Sequence, residues 1–155
     1  MNFEAEMNFL SEIFESDSKN YHAWSYRVWL VERFSLWEGE LEYVESLLDR
    51  EVTNNSAWSY RYFILNRQPN SEAGSHEYIR AEIDYVFDRR LKQDINNEAA
   101  WVYLRGLYCV DEAEENNQRI KRVALKHLIP SLQPRIKDLT TNRFAIMCMI
   151  DICKV

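Results

Sequence analysis

The sequence predicts an all-α protein, a right-handed α-α superhelix built as a solenoid of helical hairpins. Three observations predict it. The 155 residues hold only three Gly and three Pro, about a third of ordinary usage, so the chain suits long helices better than the turns of a sandwich or barrel. Hydrophobic residues make up 46% and aromatic residues 14%, with five Trp, which excludes a disordered chain and favours cores built on large rings. Finally, acid-x-x-Asn-x-x-Ala-Trp-x-Tyr occurs three times, from Asp17 to Tyr26, from Glu51 to Tyr60 and from Asp94 to Tyr103. Self-similarity at such a period marks stacked repeats.

The spacing sets the organisation. Trp24 and Trp58 are 34 residues apart, Trp58 and Trp101 are 43 apart, and the nine extra residues fall in the Asn-, Pro-, Gly- and Ser-bearing stretch from Asn66 to Ser75. The chain therefore reads as one helical-repeat domain over 1–155, with repeats at 17–50, 51–93 and 94–133. Residues 1–16 read as the second helix of an incomplete repeat and 134–155 as a partial one, as in a fragment of a longer solenoid.

Each element has its own reason. Phe3, Met7, Leu10, Ile13 and Phe14 fall at helical spacing. Asn20, Asn54 and Asn97 stand where an N-cap accepts a bond from an orphan first-turn N–H. The helix after each cap runs through its Trp, with Trp24, Val28 and Val31 on one stripe. A second helix follows each time, on Leu41, Val44 and Leu48, then Ile79, Ile83, Val86 and Phe87, then Ile120, Val123, Ala124 and Leu128. Pro130 and Pro134 break or bend the last of these, and Thr141-Asn142 caps a final helix from Arg143 onward. The acidic run from Asp111 to Glu115 reads as a solvated loop.

Composition also excludes functions. A net charge of −6 disfavours general binding to phosphate backbones and hence nucleic acid. Cys109, Cys148 and Cys153 are odd in number and lack paired spacing, which reads as reduced thiols in a cytoplasmic protein with no metal site. The run from Phe144 to Cys153 is too short to span a bilayer, the acidic N-terminus is not a secretory signal, and the C-terminus lacks a prenylation box. His76 and His127 stand alone and read as incidental.

A 34-residue period first suggests tetratricopeptide repeats, but Arg27-Val28 and Arg61-Tyr62 stand where those want Leu-Gly. Asn-x-x-Ala-Trp-x-x-Arg, read at Asn20–Arg27 and Asn54–Arg61 and supported by the stretch from Leu36 to Val44, instead resembles the protein prenyltransferase α-subunit repeat. The likeness is greatest to the α subunit shared by farnesyltransferase and type I geranylgeranyltransferase, over roughly residues 8–110. The resemblance implies a crescent of hairpins wrapped around a β subunit, and transfer of an isoprenoid from prenyl diphosphate to a CaaX cysteine near the substrate's C-terminus. It implies zinc in β and magnesium for the holoenzyme, with no cofactor bound by this chain and no activity for the chain alone.

The resemblance also ranks residues. Lys19-Asn20-Tyr21 has the local pattern of the family's diphosphate-binding lysine, but the following Tyr-His-Ala-Trp matches the next repeat, so that lysine would lie upstream and Lys19 reads as solvated. Tyr21 and His22 are the candidate catalytic and substrate-binding pair, in a first helical turn that favours anions and with no counterpart in the later copies. Trp24, Trp58 and Trp101 are structural. Arg27 and Arg61 lie one turn beyond the Trp, able to stack on it or to pair with the repeat's acids, or, with Asn20 and Asn55, to meet the β subunit. Leu104 replaces the Arg in the third copy. A noncatalytic helical-repeat adaptor and a Rab-type geranylgeranyltransferase α subunit remain the alternative readings.

Overall fold

The computed structural model describes residues 2–108, 115–132 and 142–153, and every described element is helical. They are α1 (Phe3–Ser16), α2 (Tyr21–Phe34), α3 (Glu40–Arg50), α4 (Asn55–Arg67), α5 (His76–Tyr85) continuing into a π-helical stretch (Val86–Leu91), α6 (Glu98–Tyr108), α7 (Glu115–Leu132) and α8 (Arg143–Cys153). The chain divides into two compact units, Met1–Ser71 and Glu72–Val155.

In the first unit α1 packs on α2, α3 packs on α4, and α2 also meets α4. Leu10 and Phe14 of α1, Leu30 and Val31 of α2, Val44 and Leu48 of α3, and Ile64 of α4 are buried as the helical stripes require. In this unit the two Trp-bearing helices thus pair with the helix before them, whereas the sequence pairs each with the helix after, as α6 does with α7 in the second unit. An alternating solenoid can be cut at either phase, and periodicity alone does not say which loop closes the tighter pair. Here α1 leads a hairpin with α2.

The turn into α3 positions the site. Ser35 and Gly39 both take left-handed backbone (φ 57° and 78°), and at Gly39 the missing Cβ removes the strain of that conformation. The chain then enters α3 with Glu40 as its first residue, 4% exposed and facing inward.

In the second unit α5 and α6 both pack on α7, and α8 packs on α6. Ser75 caps α5 through the Tyr78 amide, so the loop expected from Asn66 to Ser75 is shorter at its start, because α4 runs to Arg67. Val86, Phe87, Arg90 and Leu91 are buried at the widened spacing of a π-helix, where the sequence suggests continuous α-helix. Pro130 does not break α7, which continues two residues past it to Leu132; a proline in the last turn removes one backbone bond. Pro134 and the acids Asp111 to Glu114 lie outside the described residues, while Glu115 opens α7. No described helix is long and apolar enough to cross a membrane.

Candidate functional site

The repeat motif proves to be a set of hydrogen bonds. Each capping Asn accepts from the first turn of its helix: Asn20 from the Ala23 amide at 3.0 Å, Asn54 from Ser56 and Ala57 at 3.0 and 3.2 Å, and Asn97 from Ala100 at 3.3 Å. Each Trp indole N–H donates six residues back, Trp24 to the Ser18 carbonyl at 3.0 Å, Trp58 to Val52 and Trp101 to Ile95, both at 2.8 Å. The cap and the ring together tie down the loop entering each helix.

Asn142, read as the cap of the final helix in a partial repeat, opens a fourth copy of the motif. It accepts from Phe144 and Ala145 at 2.9 and 3.0 Å, and its amide donates to the Ile95 carbonyl that also serves Trp101. Asn54 reaches the Ser18 carbonyl in the same way, at 3.3 Å. The fourth copy reads Asn142-Arg143-Phe144-Ala145 with Ile146 in place of Trp, and the missing ring conceals it; Asn-x-x-Ala was the available signal.

The motif's Tyr has a second recurring partner. Tyr26 donates to Glu6 at 3.2 Å, Tyr60 to Glu40, and Tyr103 to Glu82, each acid lying on the preceding helix. Glu40 also receives Arg27 in two parallel bonds at 2.8 and 2.7 Å. Arg27 is 3% exposed and lies over the Tyr43 ring, 3.7 Å from its centroid. It therefore pairs with an acid as the sequence allows, but stacks on Tyr43 instead of Trp24. Arg61 is likewise buried and pairs with Glu45. Burial pushes the Tyr60 hydroxyl well above the ordinary phenol range, and the Glu40 carboxylate adds to it.

Beside the first turns of α2 and α4 lies a groove of about 500 Å³. Its apolar lining is Trp24, Val28, Tyr60 and Phe63; its polar lining is Lys19, Tyr21, Ser25, Asn55, Ser56 and Ser59. The structure thus brings Lys19, Tyr21 and Asn55 together. Tyr21 is 75% exposed and meets the His22 ring edge-on, with centroids 5.6 Å apart. Asn20 sits behind them, capping α2 and donating to Asp17. Lys19 is held 2.8 Å from Glu51, and this pairing, aided by bonds from Ser18 and Asn54, holds the Glu51 carboxyl below its usual range.

The lining contains no His, Cys, Asp or Glu. It can bind and orient through hydroxyls, an amide and one cation beside an apolar strip, but it offers no acid–base pair. The serines escaped the sequence reading, although Trp-Ser-Tyr in the first two copies, against Trp-Val-Tyr in the third, was the signal. His127, read as incidental, bonds Asp84 at 3.1 Å. Among the described residues no three His, Cys, Asp or Glu gather as a metal-holding group.

Capped helices, indole clamps and antiparallel pairs define a protein of tandem helical-hairpin repeats. The family model for the protein prenyltransferase alpha subunit repeat matches residues 3–34 and 37–68, so the first four helices carry two copies of that repeat. The matched segments are α1 with α2 and α3 with α4, the phase in which the helices pack. No curated protein matches the chain.

Proposed function

We propose that the chain acts as part of the α subunit of a heterodimeric protein prenyltransferase of the farnesyl or type I geranylgeranyl kind, in the cytoplasm. It scaffolds a catalytic β subunit and lines one wall of the site where an isoprenoid passes from its diphosphate to a CaaX cysteine. The observation that carries this reading is the groove beside α2 and α4, inside the two matched repeats, where Tyr21 and Lys19 converge on an apolar strip.

Tyr21 is the substrate-facing side chain, exposed at a helix start where the dipole favours an anion. His22 supports it edge-on. Asn20 and Asn55 stand at the two helix starts as the edge offered to β. Arg27 and Arg61 serve that edge from behind, since both are buried in pairs within the chain and stiffen the helices that carry it. Lys19 is paired with Glu51 and is assigned no catalytic role. Zinc and magnesium enter with β and the diphosphate, and no step runs through them on this chain.

Co-expression with a farnesyltransferase β subunit, followed by size exclusion and a thiol-prenylation assay, tests the reading. A stable 1:1 complex supports it, and weak turnover in that complex places the missing cation outside these residues. Full turnover would reassign Lys19 as the diphosphate lysine. A folded chain that never binds β overturns the proposal and leaves the adaptor.

A further inference from the structure

Each unit exposes an apolar helix face. In the first unit the rings of Tyr60 and Phe63 lie 5.6 Å apart, and Trp24 of the preceding Trp-bearing helix covers Tyr60 with centroids 4.9 Å apart. Tyr26 and Trp29 are the same pair one repeat earlier, stacked at 5.8 Å with planes 14° apart. Trp29 is nevertheless 48% exposed and Phe9 of α1 is 57% exposed; among the described helices of this unit none stands to Tyr26 as α2 stands to Tyr60.

The second unit carries the missing counterpart. Aligned on their capping asparagines, Ile146 of α8 corresponds to Trp24 and Ile150 to Val28, the residues that border Tyr60 and Phe63 in the first unit. Ile146, Met147 and Ile150 are 36%, 41% and 47% exposed. Charge matches the apolar fit. Residues 1–18 carry five acids and no Lys or Arg, whereas residues 118–155 carry eight Lys or Arg against two acids. At close range, Glu6 and Glu12 flank Phe9 at three residues either side, and Arg143 lies one turn before Ile146.

We propose that the chain binds a second copy of itself head to tail, the α8 face of one copy covering the Tyr26–Trp29 face of the next. The contact repeats the α2-on-α4 packing already present in the first unit, with Ile146 taking the place of Trp24. It is heterologous, so each copy keeps one unused face and association grows beyond the dimer unless the ring closes. Opposite charge on the two ends speeds encounter and makes the association salt-sensitive.

The test is sedimentation of the 155-residue chain from about 1 to about 200 μM. The expected result is a mass of 18.6 kDa at the dilute end that rises with concentration, and less so when salt is raised from about 50 mM to about 500 mM. Trp29→Glu removes the head and Ile150→Glu the tail; Phe9→Glu and Met147→Glu replace them if either loses helicity. Each variant alone stays monomeric, and mixing a head variant with a tail variant yields a capped 1:1 dimer, since each retains the face the other lost. A wild-type chain monomeric throughout overturns the proposal, as does a head variant or a tail variant that still self-associates, or a mixture that does not combine. None of these readouts involves a β subunit, so they stand or fall apart from the proposed function.

Discussion

Tyr60 donates its hydroxyl to Glu40, the carboxylate that also grips Arg27 through two parallel bonds. One acid at the start of α3 thereby ties α2 to α4, and all three side chains are at least 95% buried. Arg27 Nη1 has no hydrogen-bond partner among the described residues, which leaves Glu40 to balance the charge. Breaking such a pair from one side costs far more than the pair contributes, because the surviving charge stays buried.

Glu40→Ala is therefore expected to destabilise folding by about 3–5 kcal/mol, and Tyr60→Phe by about 1.5–3 kcal/mol as a hydroxyl bonded to a buried carboxylate is lost. Tyr26→Phe removes the same bond, to the half-exposed Glu6, and is expected to cost the least of the three. Urea denaturation of the three variants measures the order.

Tyr60 also sets an alkaline limit. Its folded pKa lies above the ordinary 10.0, through burial first and the Glu40 carboxylate second. A phenol held neutral in the folded state contributes its full stability below the unfolded pKa and loses it as pH rises beyond. Phenolate absorbance is expected to show Tyr60 ionising only as the chain unfolds at high pH, and Tyr60→Phe is expected to remove that part of the lagging step. A lag unchanged in the variant would place it on another tyrosine.

The contrast between Trp24 and Glu40 shows what the sequence makes legible. Asn, Ala, Trp and Tyr recur in register because each repeat solves the same local problem, entering a helix and clamping the loop before it. Their acidic partners recur less conspicuously: Glu6, Glu40 and Glu82 lie 20 or 21 residues upstream on another helix, each between a small and an apolar residue and three before an aromatic, in Ala5–Phe9, Gly39–Tyr43 and Ala81–Tyr85. That pattern was a signal for the acids, but only the packing shows that they bond the Tyr. Ile146 hid the fourth copy because losing one ring erased the most conspicuous letter of the motif. The π-helical turn at Val86–Leu91 is illegible for a different reason, since buried residues one and four apart satisfy an α-helical stripe equally well.

The loop before α2 has an acid-side dependence. The Glu51 carboxyl is held below the ordinary 4.5, first by Lys19 and then through bonds from Ser18 and Asn54. A depressed carboxyl contributes stability above its unfolded pKa and loses it as pH falls through the folded value. Lys19→Met is expected to raise the Glu51 pKa in a carboxyl NMR titration and to flatten the fall in stability below about pH 4.5. Because the pair is largely exposed, the change in stability is under about 1 kcal/mol.

The capping asparagines predict a graded series. Asn54 is 1% exposed, holds two backbone amides, and donates to both the Ser18 carbonyl and Glu51. Asn20 is partly exposed and holds one amide and its own Asp17. Replacement of Asn54 by Ala is expected to cost about 2 kcal/mol or more and that of Asn20 about 1 kcal/mol. Asn142→Ala is expected to cost about 1–2 kcal/mol and to speed amide exchange throughout α8. Equal costs for Asn20 and Asn54 would mean that the bonds reaching back to the preceding loop add nothing.

Tyr21 separates function from fold. At 75% exposure it supports no core, and Tyr21→Ala is expected to shift stability by no more than about 0.5 kcal/mol. In a complex with β, losing one contact to the developing charge is expected to lower kcat/KM about tenfold, near 1.4 kcal/mol of transition-state binding. Tyr21→Phe keeps the edge-on ring against His22 and removes only the hydroxyl. If the hydroxyl meets the diphosphate, Phe behaves like Ala and the loss appears in kcat/KM with the complex intact. If the ring merely packs against β, Phe restores wild-type rates, and Ala weakens assembly instead. Titrating β into each variant and following both complex mass and prenylation distinguishes the two.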